Sequence, residues 1–161
     1  MTKVVNKYVI TIFSILSLLV GGILTSCHQS HYQNYSTFKT VIVAQHGYDG
    51  YLVRVQGRGS SKKQAIENAR RQAVHDVIFQ NLHKSYGDHA MVFAIVNDPG
   101  MEQRYADFFS EFFDGPYKDY LDDTDEKMDH SGNDTTETVV INVPVKRGAL
   151  EKYIRTQLAN Q

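Results

Sequence analysis

Apolar and polar positions along the chain change their period several times, and each change marks an element. Residues 8–24 (YVITIFSILSLLVGGIL) hold no charge, and Lys3 and Lys7 precede them. Residues 28–37 (HQSHYQNYST) are polar and aperiodic, the pattern of a tether. Residues 38–45 (FKTVIVAQ) are β-branched and apolar and predict a strand. Gly47, Asp49 and Gly50 predict a turn. From Tyr51 to Arg58, Tyr51, Val53 and Val55 alternate with Leu52, Arg54 and Gln56, so a second strand returns with one buried face. The two strands are expected to form a hairpin.

The period then turns helical. Ser61 and Gln64 have the spacing of a capping box. Ala65, Ile66, Ala69, Ala73 and Val77 share one arc of a helix that runs to about Leu82. Three alanines on that arc let the helix lie close to a sheet, and Ala69 and Ala73 are expected to face it. Residues 90–96 (AMVFAIV) form a short unbroken apolar run, which predicts a buried strand. Asn97-Asp98-Pro99 starts a second helix over 100–114, and Gly115-Pro116 stops it. This helix carries Tyr105, Phe108, Phe109, Phe112 and Phe113 at spacings of three and four. A short strand near 117–121 and a mobile loop over 129–136 are expected next. Val139, Ile141, Val143 and Val145 then face one way in a clear strand, and Pro144, lacking an N–H, predicts an edge or bulge. A last helix over 149–159 places Leu150, Tyr153, Ile154 and Leu158 on one face.

The order β-β-α-β-α-loop-β-α, opening on an antiparallel hairpin, predicts an α+β fold. Its sheet is expected to be small and mixed or antiparallel, with helices packed on one face, after an N-terminal signal peptide. A length of 161 residues suits one domain, over 38–161. Ten Tyr and eight Phe supply the aromatic mass in the absence of Trp. The net charge of −1 provides no general basic field, so nucleic acid is not an expected partner.

The N-terminus adds a specific signal. A positive start, an apolar core and small residues before a cut are the parts of a secretory signal. Leu24-Thr25-Ser26-Cys27 resembles the lipobox of bacterial lipoproteins: an aliphatic residue, two small residues and a cysteine. The resemblance implies diacylglyceryl transfer to the Cys27 sulfur, cleavage before it, and acylation, palmitate included, of the new amine. Residues 1–26 are then the signal peptide and 27–37 a lipidated tether. Cys27 is the sole cysteine, so no disulfide is available and the core must carry stability. Removing Lys3 and Lys7 leaves 15 of the 17 basic residues against 18 acidic ones, a formal charge of −3. Cys27 is followed by His28-Gln29-Ser30-His31, neither an Asp nor an acidic run. By comparison with lipoprotein sorting this implies the outer membrane, with the domain facing the periplasm.

Candidate chemistry is sparse. Gly57-x-Gly59 before a helix has the form of a phosphate turn, but Lys62 stands where a dinucleotide fingerprint needs a third glycine, and no Gly-Lys-Ser/Thr follows. The simpler expectation is a tight strand-to-helix turn. Seven histidines show no HExxH or other tight ligand pair, so no metal is expected. From Asp114 to Glu137 nine Asp or Glu stand against Lys118 and Lys127. Calcium loops started at Asp123 or Asp129 fail, because Lys127 takes the fifth position in one and Asp134 the glycine position in the other. No G-x-S-x-G elbow and no second cysteine offer a nucleophile, so no enzyme and no cofactor are expected. Interaction cues remain: the aromatic stripe Tyr105, Phe108, Phe109, Phe112 and Phe113 as candidate partner-binding residues, and a basic stretch, 51–84, with seven Lys or Arg against Glu67 and Asp76.

The stretch from Val53 to Val74 (VRVQGRGSSKKQAIENARRQAV) resembles the strand, Gly-x-Gly turn and alanine-spaced helix of small envelope lipoproteins, and is similar to the N-terminal domain of the flagellar assembly protein FlgT. The resemblance covers about a sixth of the chain. It implies an α/β module used in assembly rather than catalysis. The expected function is a lipid-anchored periplasmic interaction module, an accessory of an envelope assembly such as a secretion system, whose partners are the membrane through Cys27 and other envelope proteins. The alternative is a binding module for a small ligand or peptidoglycan. The sequence leaves the oligomeric state open.

Overall fold

A computed structural model of the chain describes residues 38–122 and 136–160 in full and residues 126–133 by their backbone. The expected signal segment 1–26, Cys27 and the tether 27–37 lie outside the described residues. The alternating pattern after the tether folds as expected into a hairpin of β1 (Val41–His46) and β2 (Gly50–Gly59). Gly47, at φ +62°, supplies the left-handed residue of its turn. Then come α1 (Lys62–Phe79), β3 (Leu82–Lys84), β4 (Met91–Val92), α2 (Met101–Arg104) and α3 (Ala106–Asp114). A 3-10 helix (Pro116–Tyr120), β5 (Glu126–Asn133), β6 (Thr136–Val145) and α4 (Arg147–Ala159) complete the chain. The six strands form one sheet in the order β4-β3-β1-β2-β6-β5. Only the β1–β3 pair is parallel, so the fold is α+β with a mixed sheet.

Register decides which face of the sheet becomes core. Val53 lies opposite Val143, Val55 opposite Ile141 and Gly57 opposite Val139, so these side chains share one face. Ile42 joins it opposite Val53, and all six apolar residues named are buried. The other face carries Arg54, Gln56 and Arg58, and Arg54 Nε donates to Asn142 Oδ1 across the β2–β6 pair at 3.0 Å.

Helix α1 covers the apolar face through small residues. Ala65, Ala69 and Ala73 are all fully buried. Gly57 and Gly59 sit inside β2 rather than in a turn after it. A Cβ on Gly57 would meet Ala65 O at 2.1 Å and Ala69 N at 2.6 Å. The glycines thus admit a helix backbone, and that explains the Gly-x-Gly spacing without a phosphate. The helix N-terminus is also occupied: Gln64 N donates to Ser61 Oγ at 3.3 Å, and Ser60 N donates to Gln64 Oε1 at 2.8 Å. The glutamine arm of the capping box reaches one residue further back than the simple pattern requires. Replacing Ala73 with Leu is expected to overpack the helix–sheet contact and cost about 1–3 kcal/mol. Urea melting checks this, and an unchanged midpoint would put that helix face in solvent.

Besides the glycine turn, four expectations need correction. The run 90–96 is a strand only at Met91–Val92; beyond it Ala94, Ile95 and Val96 are buried outside any strand. Their partner is a helix end: Ile95 N and Val96 N donate to Val77 O and Ile78 O, carbonyls in the last turn of α1 that lack intrahelical donors. The helix expected over 100–114 breaks at Tyr105 into α2 and α3. The strand expected near 117–121 is the 3-10 helix, with Pro116 at its start and only Leu121 bridging to Val145. The loop expected over 129–136 is largely strand: β5 runs to Asn133 and pairs with β6.

Pro144 does lie at a local edge. Pairing with β5 ends at Asn142, and Asp122 N donates to Pro144 O at 3.2 Å. The proline nitrogen points the same outward way, where no ladder donor is needed.

Candidate groove between two helices

Helix α3 is the aromatic stripe, and its packing divides the five candidate rings. Phe109, Phe112 and Phe113 are buried. Phe109 meets Phe79 of α1 edge to face at 4.9 Å. Phe113 lies 5.8 Å from His75 and 6.1 Å from Tyr117. Phe112 stacks on Tyr153 of α4 at 5.7 Å and lies 5.9 Å from Tyr120. These three rings bind helix to core, which removes them as direct docking residues. Tyr105 and Phe108 are only half-buried.

Phe108 is on the rim of a groove of about 350 Å³ between α3 and α4. Asp107, Phe108, Glu111 and Phe112 of α3 line it together with Tyr153 and Gln157 of α4 and Pro116. The helical spacing of four places Phe108 with Phe112, Asp107 with Glu111, and Tyr153 with Gln157. Phe108 and Tyr153 have ring centroids 6.3 Å apart. Sequence reasoning missed α4's contribution, because Tyr153 has the spacing of an ordinary core residue and only the packing of α3 against α4 shows its second role.

The groove lining combines aromatic rings with carboxylates. It holds no histidine, serine or cysteine. Asp107 and Glu111 are both exposed, whereas a working acid–base carboxylate pair needs the two held in different environments, one of them desolvated.

Other titratable clusters are tied down structurally. His75 lies between Phe79 and Phe113, with Nδ1 3.4 Å from Asp76 and Nε2 3.1 Å from Glu102. Burial opposes its charge, but the two carboxylates outweigh burial and raise its pKa to about 9. Glu67 accepts from Tyr117 Oη at 2.5 Å and pairs with Lys118 at 2.7 Å, which joins α1 to the 3-10 helix. Burial and that carboxylate push the Tyr117 pKa up. Asp122 pairs with Lys146 and His46, each at 2.8 Å, and its pKa is lowered by them.

Among the described residues no three His, Cys, Asp or Glu side chains gather as a metal site, and no helix is long and apolar enough to cross a membrane. The acidic side chains at 123–135, with His28, His31 and His130, lie outside the described side chains. The basic residues of 51–84 are spread over several elements. Arg54 and Arg58 are on the sheet, Lys62 and Lys63 start α1, Arg71 lies 5.7 Å over Tyr117, and Lys84 lies 5.8 Å over Tyr86. No protein-family model matches the chain, and no curated protein or solved structure does either.

Proposed function

We propose that this chain is a lipid-anchored protein-interaction module of a bacterial outer membrane, held through Cys27 with its α+β domain facing the periplasm. In that role it is an accessory of an envelope assembly rather than an enzyme. The observation that carries the reading is the α3–α4 groove, where a half-exposed Phe108 and Tyr153 meet two exposed carboxylates. A few aromatic residues at a groove supply the energy of many protein interfaces, and charged neighbours supply specificity. The lipobox-like Leu24-Thr25-Ser26-Cys27 supports the anchor. Two or more acyl chains hold a protein stably where one is marginal, and anchoring raises the effective concentration of partners on the same membrane. A small-ligand or peptidoglycan module is the second reading. The groove volume falls within the range of small-ligand sites, about 300–1,000 Å³.

Labelled fatty acid should enter the wild-type chain and not Cys27→Ala, which should persist uncleaved or leave the membrane. A wild-type chain that takes up no acyl label would remove the anchor. A photo-crosslinking residue at Phe108 should capture a specific envelope protein in cells. Crosslinks to glycan strands alone would favour the second reading.

A further inference from the structure

Resting on the protein-interaction reading, we propose that the groove takes the side chain of an arginine presented by an external partner protein. The groove is aromatic on its walls and acidic at its mouth. Phe108 and Tyr153, both half-buried with ring centroids 6.3 Å apart, offer ring surface at the rim, and the buried Phe112 backs them, stacked on Tyr153 at an interplanar angle of 28°. A guanidinium is planar and weakly hydrated, stacks on such faces, and still presents a fork of donors to a carboxylate at the edge. Lysine has the charge without the plane.

The carboxylates at the mouth stand apart from the others around them. Asp98 pairs with Arg104, Glu102 with His75, Glu67 with Lys118, Asp122 with Lys146, and Glu151 with Arg147 and Arg155. Asp107 and Glu111 have no cationic partner among the described residues. Asp114 and Asp119, the next acidic residues along the sequence, are likewise exposed. Such a rim attracts a cation and repels phosphate, which argues against nucleic acid and anionic lipid headgroups as occupants. Nor do the stretches outside the described side chains supply the arginine: 1–37 contain Lys3 and Lys7, and 123–135 contain Lys127, with no arginine in either.

The test titrates the full chain in detergent into short dye-labelled peptides that differ at one central position: arginine, lysine or citrulline, the neutral isostere of arginine. The arginine peptide should bind saturably and weaken as salt is raised, and citrulline should weaken binding by about tenfold or more. Phe108→Ala and the double variant Asp107→Asn with Glu111→Gln should each weaken the arginine peptide by about tenfold; the exposed carboxylate pair should leave the melting temperature unchanged, while Phe108→Ala, which loses contacts with Phe109 and Phe112, should lower it with the chain still folded at the assay temperature. Equal binding of arginine and citrulline, no saturable arginine binding up to about 1 mM, or variants that bind like the parent would each overturn the proposal. A dimer of the chain alone that the double variant dissolves would overturn the external partner and assign the arginine to a second copy. If Phe108 crosslinks a partner in cells while the arginine peptide fails, the interaction reading stands and this inference falls.

Discussion

Gly57→Ala is expected to cost about 3 kcal/mol or more, at or above the upper end of ordinary overpacking, and to lower the urea midpoint accordingly. The added Cβ would lie 2.1 Å from Ala65 O, 2.6 Å from Ala69 N and 2.7 Å from Ala69 Cβ. Two of those three atoms are helix backbone, which has no rotamer to change. Relief therefore requires α1 to lift from β2. That movement would also open the contact with Val139 and Ile141 on β6, since Val139 is Gly57's own register partner. Close packing makes such a gap costly, because the lining loses dispersion contacts on one side. Gly59→Ala should cost less: its Cβ meets Ala65 N at 2.7 Å and Gln64 atoms at 2.9 Å, at the first turn, where the helix yields more easily. A Gly57→Ala chain that melts within about 0.5 kcal/mol of the parent would show that α1 does not rest on this strand.

Gly57 also shows how far a sequence pattern reaches. The alternation of Val53 and Val55 and the four-residue spacing of Ala65, Ala69 and Ala73 are local periods, so both buried faces are legible in the residue order alone. What each face touches is not a local property. The glycines read as turn residues because glycine serves both turns and close backbone approach, and only the partner helix separates the two. Strand β5 (EKMDHSGN) has no apolar alternation, and its place comes from the ladder to β6. Residues 94–96 are as apolar as a buried strand, yet the N–H groups of Ile95 and Val96 serve the end of a helix. Pro116 suits the first position of a helix as well as it suits the stop of the preceding one, and here it does both. In the groove, the side contributed by α3 is legible as an aromatic stripe. The division between Phe108 at the rim and Phe109, Phe112 and Phe113 in the core depends on α1 and α4, which are distant in sequence. Asp76 is no more visible: a lone acidic residue beside an apolar arc looks like a solvated flank until its partners are known.

Asp76→Ala is expected to cost about 2–4 kcal/mol, because it removes the buried acceptor that ties α1 to the residue before β1. Asp76 is almost fully buried on α1. Thr40 Oγ1, just before β1, donates to its Oδ2 at 2.5 Å, and Gln72 Nε2 donates to its Oδ1 at 2.6 Å. Without the carboxylate both donors lose their partner in a site that is itself buried, and His75 loses one of two opposite charges. Thr40→Val should cost less, about 1–2 kcal/mol, since Gln72 and His75 still serve the carboxylate. The same network sets a pH dependence. Folding raises the His75 pKa from its ordinary 6.5 to about 9, so the stabilisation is complete below about pH 6.5 and is lost as pH rises toward 9. Glu102 has the opposite sign: its pKa is lowered, chiefly by the hydrogen bond from His75, so its contribution is present above its ordinary 4.5 and is lost as pH falls. The pair therefore favours the folded state most between those limits. The melting temperature of the wild-type chain should fall between pH 6.5 and 9, and His75→Gln should flatten that slope while lowering stability at pH 6. A slope that survives in His75→Gln would place the titrating group elsewhere.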